Sequence, residues 1–356
     1  MDFRVGEEER ALAEGIRAML AGRLPLERLR AREGAASAIE ADDWAALGET
    51  GVFALTLPEP VGTGLSMAEA VVVFEELGRA LVPGPLVGTF LAARAGVVEG
   101  AAAGRAQVGV YSADPGPGTG PGPGPGPGAS LVEHLGSLDA LLVFTSDGRG
   151  PASRSVRLLA PVTTEGATQV ESPLDPLTPM WQVDVHALPA GEEVDGSLWR
   201  DGAVLTAALQ VGHAAETLEL AVSYAKERQQ FGAPIGSFQA VKHLCADMLV
   251  RAEVARAAVH AAACLVDAPD VADSEAVVAG CTPEQLLDRS VGGANLLADE
   301  AALGNARTAI QVHGGMGFTW EVPLHLHLKR ARVLSTTFGS PALHAVALAG
   351  YAGAST

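Results

Sequence analysis

The sequence predicts a mainly α-helical protein with a small β domain in its middle. Apolar residues recur at helical spacing through both ends of the chain, and between them the period shortens to strand-like runs broken by Gly, Pro, Ser and Asp. Aromatic residues make up only 4% of the chain while alanine is abundant, a balance that suits close-packed helices better than a β-sandwich. With 356 residues, 48% of them hydrophobic, the chain can bury two or three cores.

Residues 1–104 read as a helical domain. Leu12, Ile16, Met19 and Leu20 keep one face behind the acidic first turn Glu7-Glu8-Glu9, which suits a helix N-terminus. Ser66-Met67-Ala68-Glu69 is a capping-box pattern ahead of Val73, Phe74 and Leu77, and Pro83-Gly84-Pro85 ends that segment. Residues 105–199 read as the β domain, with runs at Leu141–Phe144, Val156–Leu159 and Trp181–Val185. Within it, Pro115–Gly128 is nearly a pure Pro-Gly repeat. It has no apolar group to bury and the wrong glycine period for collagen, so a disordered surface loop is expected.

Residues 200–356 turn helical again. Leu205, Leu209, Gly212, Ala215, Leu218 and Val222 share one face, and Val241, Leu244, Met248, Ala252 and Ala255 share the next. A third helix is expected from about Glu284 to Val312, and a fourth from Ser340-Pro341, where Ser suits the N-cap and Pro the first turn. Together they predict a four-helix bundle.

The formal net charge of −18 argues against a nucleic-acid or anionic-membrane surface and suits a soluble protein. No basic-plus-apolar leader precedes the first helix, and no apolar run approaches the ~20 residues of a membrane span. Cys245, Cys264 and Cys281 lack CxxC spacing, and the first two fall in apolar helical patterns, so small core residues are expected. A cytoplasmic location follows as an expectation. His313 reads as structural, and the alternation of His325 and His327 matches no common metal site.

Two segments carry chemistry: Lys226-Glu227-Arg228-Gln229-Gln230-Phe231-Gly232 and Gln311-Val312-His313-Gly314-Gly315-Met316-Gly317-Phe318. A dinucleotide needs a fixed cation at its pyrophosphate, a flat apolar partner for adenine, and backbone that can approach closely. Arg228, Phe231 and the Gly314-Gly315 turn are residues of those kinds. In their order and spacing these segments, with Leu65–Arg79, resemble the motifs of the acyl-CoA dehydrogenase family over nearly the whole chain. The resemblance implies a helical N-terminal domain, a small β-barrel-like domain and a C-terminal four-helix bundle. It also implies FAD, held at its ADP portion by Arg228, Phe231 and Gln239, with Gln311, Gly314 and Gly315 contacting the cofactor from a neighbouring subunit.

The chain departs from the family where the base belongs. The family removes the α-proton of an acyl-CoA thioester with a carboxylate while hydride leaves for the flavin. Counting on from the second motif, that carboxylate's position is Phe338, which cannot accept a proton. Some members place the base on the first bundle helix, where this chain has Gly202. Asp201, one residue out of register, is the weak candidate, with compensation of the helix N-terminus as its plainer role. Glu321 matches a frequently acidic position and reads as structural. The family's β-domain segment along the flavin ring finds no counterpart, though Gly339-Ser340 could offer backbone amides to an anion. The expected reading is therefore a subunit of an FAD-dependent acyl-CoA dehydrogenase. A second acyl-CoA dehydrogenase-like chain, as in α2β2 heterotetramers, would supply the glutamate, and an electron-transfer flavoprotein or similar carrier would take the electrons. The alternatives are a self-sufficient homo-oligomer with a non-standard base, or a structural member without flavin.

Overall fold

The computed structural model describes residues 6–35, 37–113, 129–146, 154–184, 188, 191–195, 197–268 and 281–353, with side chains to residue 349. The Pro-Gly repeat and Val185 lie outside them. Helices α1 (Glu7–Arg23), α2 (Leu26–Arg30), α3 (Ala41–Glu49), α4 (Met67–Arg79) and α5 (Leu86–Ala95) come first. Ser66 caps α4 as its sequence pattern requires: its hydroxyl accepts from the Ala68 amide, and Glu69 Oε2 accepts from the Ser66 amide at 2.8 Å.

The middle region holds β1 (Val108–Ala113), β2 (Ala129–Glu133), β3 (Ala140–Ser146), β4 (Arg154–Leu159), β5 (Thr168–Gln169), β6 (Met180–Asp184) and β7 (Glu192–Val194). They form two sheets, ordered β1-β3-β4-β7 and β2-β6-β5. The barrel-like expectation is corrected here. Closure requires hydrogen bonding between the first and last strands, and β1 and β7 stand at opposite edges of their sheet. β3 explains why its sequence reads as one apolar run instead of an alternation. Leu141 and Val143 point into the small core between the sheets, while Leu142 and Phe144 point into the main helical core.

The C-terminal region comprises α6 (Leu198–Glu227), the hairpin strands β8 (Gln229–Gln230) and β9 (Ala233–Pro234), α7 (Gln239–Asp267), α8 (Pro283–His313), α9 (Leu324–Leu334) and α10 (Pro341–Gly353). The sequence reading missed α9, whose apolar positions are interrupted by His325, His327, Lys329 and Arg330. It also assigned α6 a single apolar face. From Asp201 to Ala215, α6 is buried on every side, because α4, α7 and α8 all pack around it. Small residues permit this. A Cβ on Gly212 would stand 2.1 Å from the Glu75 carbonyl oxygen, and one on Gly78 would stand 2.2 Å from that of Leu209. α10 starts where the sequence placed it, with the Leu343 amide donating to Ser340 Oγ at 3.3 Å. No helix among the described residues is long and apolar enough to cross a membrane.

Candidate functional site

The dinucleotide-type residues gather at one end of the bundle. Arg228 is the C-cap of α6; its amide donates to the Tyr224 carbonyl at 2.8 Å and its own carbonyl accepts from Ile235 at 2.7 Å. The chain then reverses in a two-residue hairpin that pairs Gln230 with Ala233. Phe231 and Gly232 form the tip at φ 54° and 78°, the pair of positive values of a type I′ turn. Glycine adopts that conformation freely, whereas a phenylalanine there carries about 1–2 kcal/mol of strain. Its ring is 94% exposed. A strained, exposed aromatic at a hairpin tip is better explained by what it meets than by the chain's own packing. Gln239 opens α7, exposed, one residue after Phe238, whose ring stands edge-on to Phe231 at 6.1 Å.

Gln311 ends α8 beside this hairpin. The two helix ends are locked by the stacked rings of Tyr224 and His313, 4.1 Å apart and 17° from parallel. His313 is buried and its Nδ1 hydrogen-bonds the Ala309 carbonyl at 2.8 Å. Gly314 (φ 58°) and Gly315 are exposed, and a Cβ on either would meet nothing within 4 Å. Gly317 differs: a Cβ there would collide with the Ile310 carbonyl oxygen at 2.5 Å, so internal packing explains it. The space above Gly314-Gly315 is open to a ligand or a second chain. A fixed cation, an exposed ring and unobstructed glycine backbone fit the ADP portion of a flavin dinucleotide.

The other end of α6 carries Gly202, which packs against Phe338, the two positions at which the resemblance would place a base. Phe338 is 1% exposed, and its ring fills the space a side chain at Gly202 would need: a Cβ on Gly202 would lie 2.3 Å from its Cε1 and Cζ. Phe144 of β3 meets the same ring edge-on, with centroids 5.3 Å apart. One aromatic therefore occupies both places where a carboxylate base could stand and presses them against the β domain. Asp201 faces elsewhere. It pairs with Arg94 Nε at 3.0 Å, and Arg94 also holds Asp267 at 2.9 Å. Burial outweighs the nearby Arg94 cation and pushes the Asp201 carboxyl up to about 6. Glu321 is exposed.

Close to Phe338 lies a small cavity of about 40 Å³, lined among others by Glu133, His134, Thr206, His213, Arg330 and Thr337. It has room for about three waters. Burial pushes Glu133 up to about 7 against the pull of Arg330, and burial with Arg330 drives His134 down to about 3. Arg330 bonds Asp175 through Nε and the carbonyls of Val82 and Leu177 at 3.2 and 3.4 Å. One side chain thus ties α9 to the N-terminal helices and to the β domain. His213 and His327 share a 3.0 Å Nδ1–Nδ1 contact, and burial holds both well below the ordinary imidazole range. Sequence reading missed this cluster. Its one local signal is an arginine inside an apolar helix pattern, and Asp175, its partner, is 155 positions away.

Helical bundle, two-sheet domain and second helical bundle, with a dinucleotide grip at a helix end, define a flavin-dependent acyl dehydrogenase fold. Residues 6–104 match the acyl-CoA dehydrogenase N-terminal domain and residues 200–349 the acyl-CoA dehydrogenase C-terminal domain. The acyl-CoA dehydrogenase IpdE2 of Mycolicibacterium smegmatis is 33% identical over 95% of this chain and 96% of that protein. A steroid acyl-CoA dehydrogenase variant, Tcur3481–Tcur3483, superposes over 99% of this chain and 100% of that one at a TM-score of 0.76 and 25% identity. The ChsE4–ChsE5 complex of Mycobacterium tuberculosis matches in fold over 100% of both chains, with a TM-score of 0.76 and 24% identity. The chain belongs to the acyl-CoA dehydrogenase family, oxidoreductases acting on CH–CH bonds, and the cofactor is FAD.

Proposed function

We propose that this chain is the base-lacking subunit of an FAD-dependent acyl-CoA dehydrogenase, paired with a second family chain that supplies the glutamate. The observation that carries this is Phe338, buried against Gly202 and Phe144 where the proton acceptor belongs. Geometry also supports a division of labour. Gly202 and Arg228 are 26 positions apart on α6. At about 1.5 Å per residue that is roughly 39 Å, longer than FAD extends. The ADP grip and the base position of one chain would therefore serve different flavins. Losing the base leaves the grip useful to a neighbour. Arg228 would neutralise the pyrophosphate, Phe231 cover the adenine, and Gln239, Gln311, Gly314 and Gly315 complete the surface. FAD, when bound, accepts the hydride leaving the β-carbon of the acyl-CoA. This chain's contribution is binding, orientation and exclusion of water. The partner carboxylate takes the α-proton, and an electron-transfer flavoprotein or similar carrier takes the electrons. The Tcur3481–Tcur3483 and ChsE4–ChsE5 neighbours are named as pairs of proteins, which favours an α2β2 assembly here too.

The test is a flavin spectrum with a size-exclusion mass, on this chain alone and co-produced with the acyl-CoA dehydrogenase-like chain encoded beside it. Flavin and acyl-CoA oxidation confined to a mixed tetramer is the expected result. A yellow homo-oligomer that turns over acyl-CoA by itself would overturn the proposal and send the search for a base to Asp201.

A further inference from the structure

A second chemical constellation lies away from the flavin motifs, between the first helix and α7. Cys264 Sγ stands 3.8 Å from His260 Nδ1, and the other ring nitrogen, Nε2, stands 2.9 Å from Glu9 Oε1. Three groups from two helices, with Glu9 and His260 251 positions apart, are thus arranged as nucleophile, base and orienting carboxylate. Glu9 is itself fixed, since it also accepts from the Gly6 amide at the start of α1. The imidazole is 4% exposed while the thiol is half-buried, so the sulfur is the member that solvent reaches. His260 also borders a groove of about 520 Å³ walled by paired charges, Arg17, Arg79 and Arg256 with Glu75, Glu76 and Glu253. Of the flavin motifs, none includes these residues.

We infer that Cys264 is a reactive nucleophile, activated by His260 and Glu9, and a site of reversible oxidation by hydroperoxides. In the step, His260 Nδ1 takes the Cys264 proton as the sulfur attacks one oxygen of the peroxide, the S–O bond forms and the O–O bond breaks. The departing hydroxide takes the proton from His260 Nδ1 and leaves as water. Sulfur is oxidised by two electrons to the sulfenic acid, the peroxide is reduced, and His260 ends neutral. Hydrogen bonding to Cys264 and Glu9 raises His260 to about 9, which suits a base that takes the proton of the neighbouring thiol. Cys245 is the internal contrast: burial alone acts on it and pushes its thiol up. Oxidation replaces the group that His260 faces with a bulkier sulfenic acid and so disturbs its tie to Glu9, which links α1 to α7.

The experiment exposes the reduced full-length protein briefly to hydrogen peroxide with dimedone present and counts adducts on each cysteine by peptide mass spectrometry. Cys264 should label at least about tenfold faster than Cys245 or Cys281, because an imidazole oriented by a carboxylate stands beside its sulfur. His260→Gln should lower that rate by about the same factor, while leaving Cys245 and Cys281 unchanged. Equal labelling of the three cysteines, or a Cys264 rate indifferent to His260→Gln, would overturn the assignment. Should His260→Gln fail to fold, Glu9→Gln and the wild-type competition among the three thiols decide the question on the same criteria.

Discussion

Phe338 shows how one residue can stabilise a fold at the position where the family resemblance places a base. Its ring joins the first turn of α6 to β3, where a glutamate would have had to remain solvated and mobile enough to reach a substrate. Phe338→Ala should therefore cost about 3–5 kcal/mol in urea unfolding, the usual penalty for emptying a packed aromatic site. A loss below about 1 kcal/mol would mean that the surroundings collapse into the space or that the ring is not packed there. Asp299 makes a different kind of prediction. It accepts from Gln210 Nε2 at 2.7 Å, yet burial pushes its carboxyl up to about 7. Because the folded-state value lies above the unfolded one, its contribution is full below about pH 4 and is lost as pH rises toward 7. Asp299→Asn should flatten that part of the stability-versus-pH curve and leave the protein more stable than wild type at pH 8. An unchanged curve would show that Asp299 titrates normally.

At the scale of elements, the β8–β9 hairpin and helix α9 carry opposite trade-offs. The hairpin keeps Phe231 in a conformation that asparagine or glycine would adopt without strain. Phe231→Asn creates Asn-Gly, the favoured type I′ pair, and should raise stability by about 1 kcal/mol. The same change should reduce flavin retention in the assembled enzyme. Flavin content unaffected by the substitution would remove Phe231 from the cofactor site. α9 instead gains from a charge. Arg330 and Asp175 are both buried and paired; Arg330 also donates to the carbonyls of Val82 and Leu177, and Asp175 also accepts from the Leu177 amide and the Thr178 hydroxyl. Arg330→Ala strands the Asp175 carboxylate and should cost about 3–5 kcal/mol. Replacing both partners with apolar residues of similar volume should cost far less, since no buried charge is left unpaired. Chemical denaturation of the single and double variants separates these outcomes.

For the whole molecule, the separation between the two ends of α6 sets the stoichiometry. If the ADP grip at Arg228 serves a flavin whose ring and base belong to the partner, a mixed tetramer should hold one FAD per two chains. Flavin quantified against total protein in the purified assembly measures this directly; one FAD per chain would mean that this subunit also encloses a flavin of its own.

Much of the architecture was legible from local pattern. The caps at Ser66 and Ser340 and the strand runs at Leu141, Val156 and Trp181 depend on neighbours within a few positions, and such signals survive in one dimension. The Arg228 and Gln311 motifs were legible for the same reason: each sits at a helix end where consecutive residues do the work. Helix α6 misled because periodicity reports one buried face, and a helix enclosed by three others has none to distinguish. The barrel expectation failed because strand closure is a property of edge pairing that no strand's own residues encode. By itself, then, the sequence determined the family, the helical, strand-like and helical order of its three regions and the absence of a carboxylate at position 338. Only the tertiary structure decided that Phe338 fills Gly202's space, that Arg330 finds Asp175, and that Glu9 orients His260 beside Cys264. The contacts of Phe338 with Gly202, Arg330 with Asp175 and Glu9 with His260 join residues more than a hundred positions apart, where packing in three dimensions, not periodicity along the chain, chooses the partners.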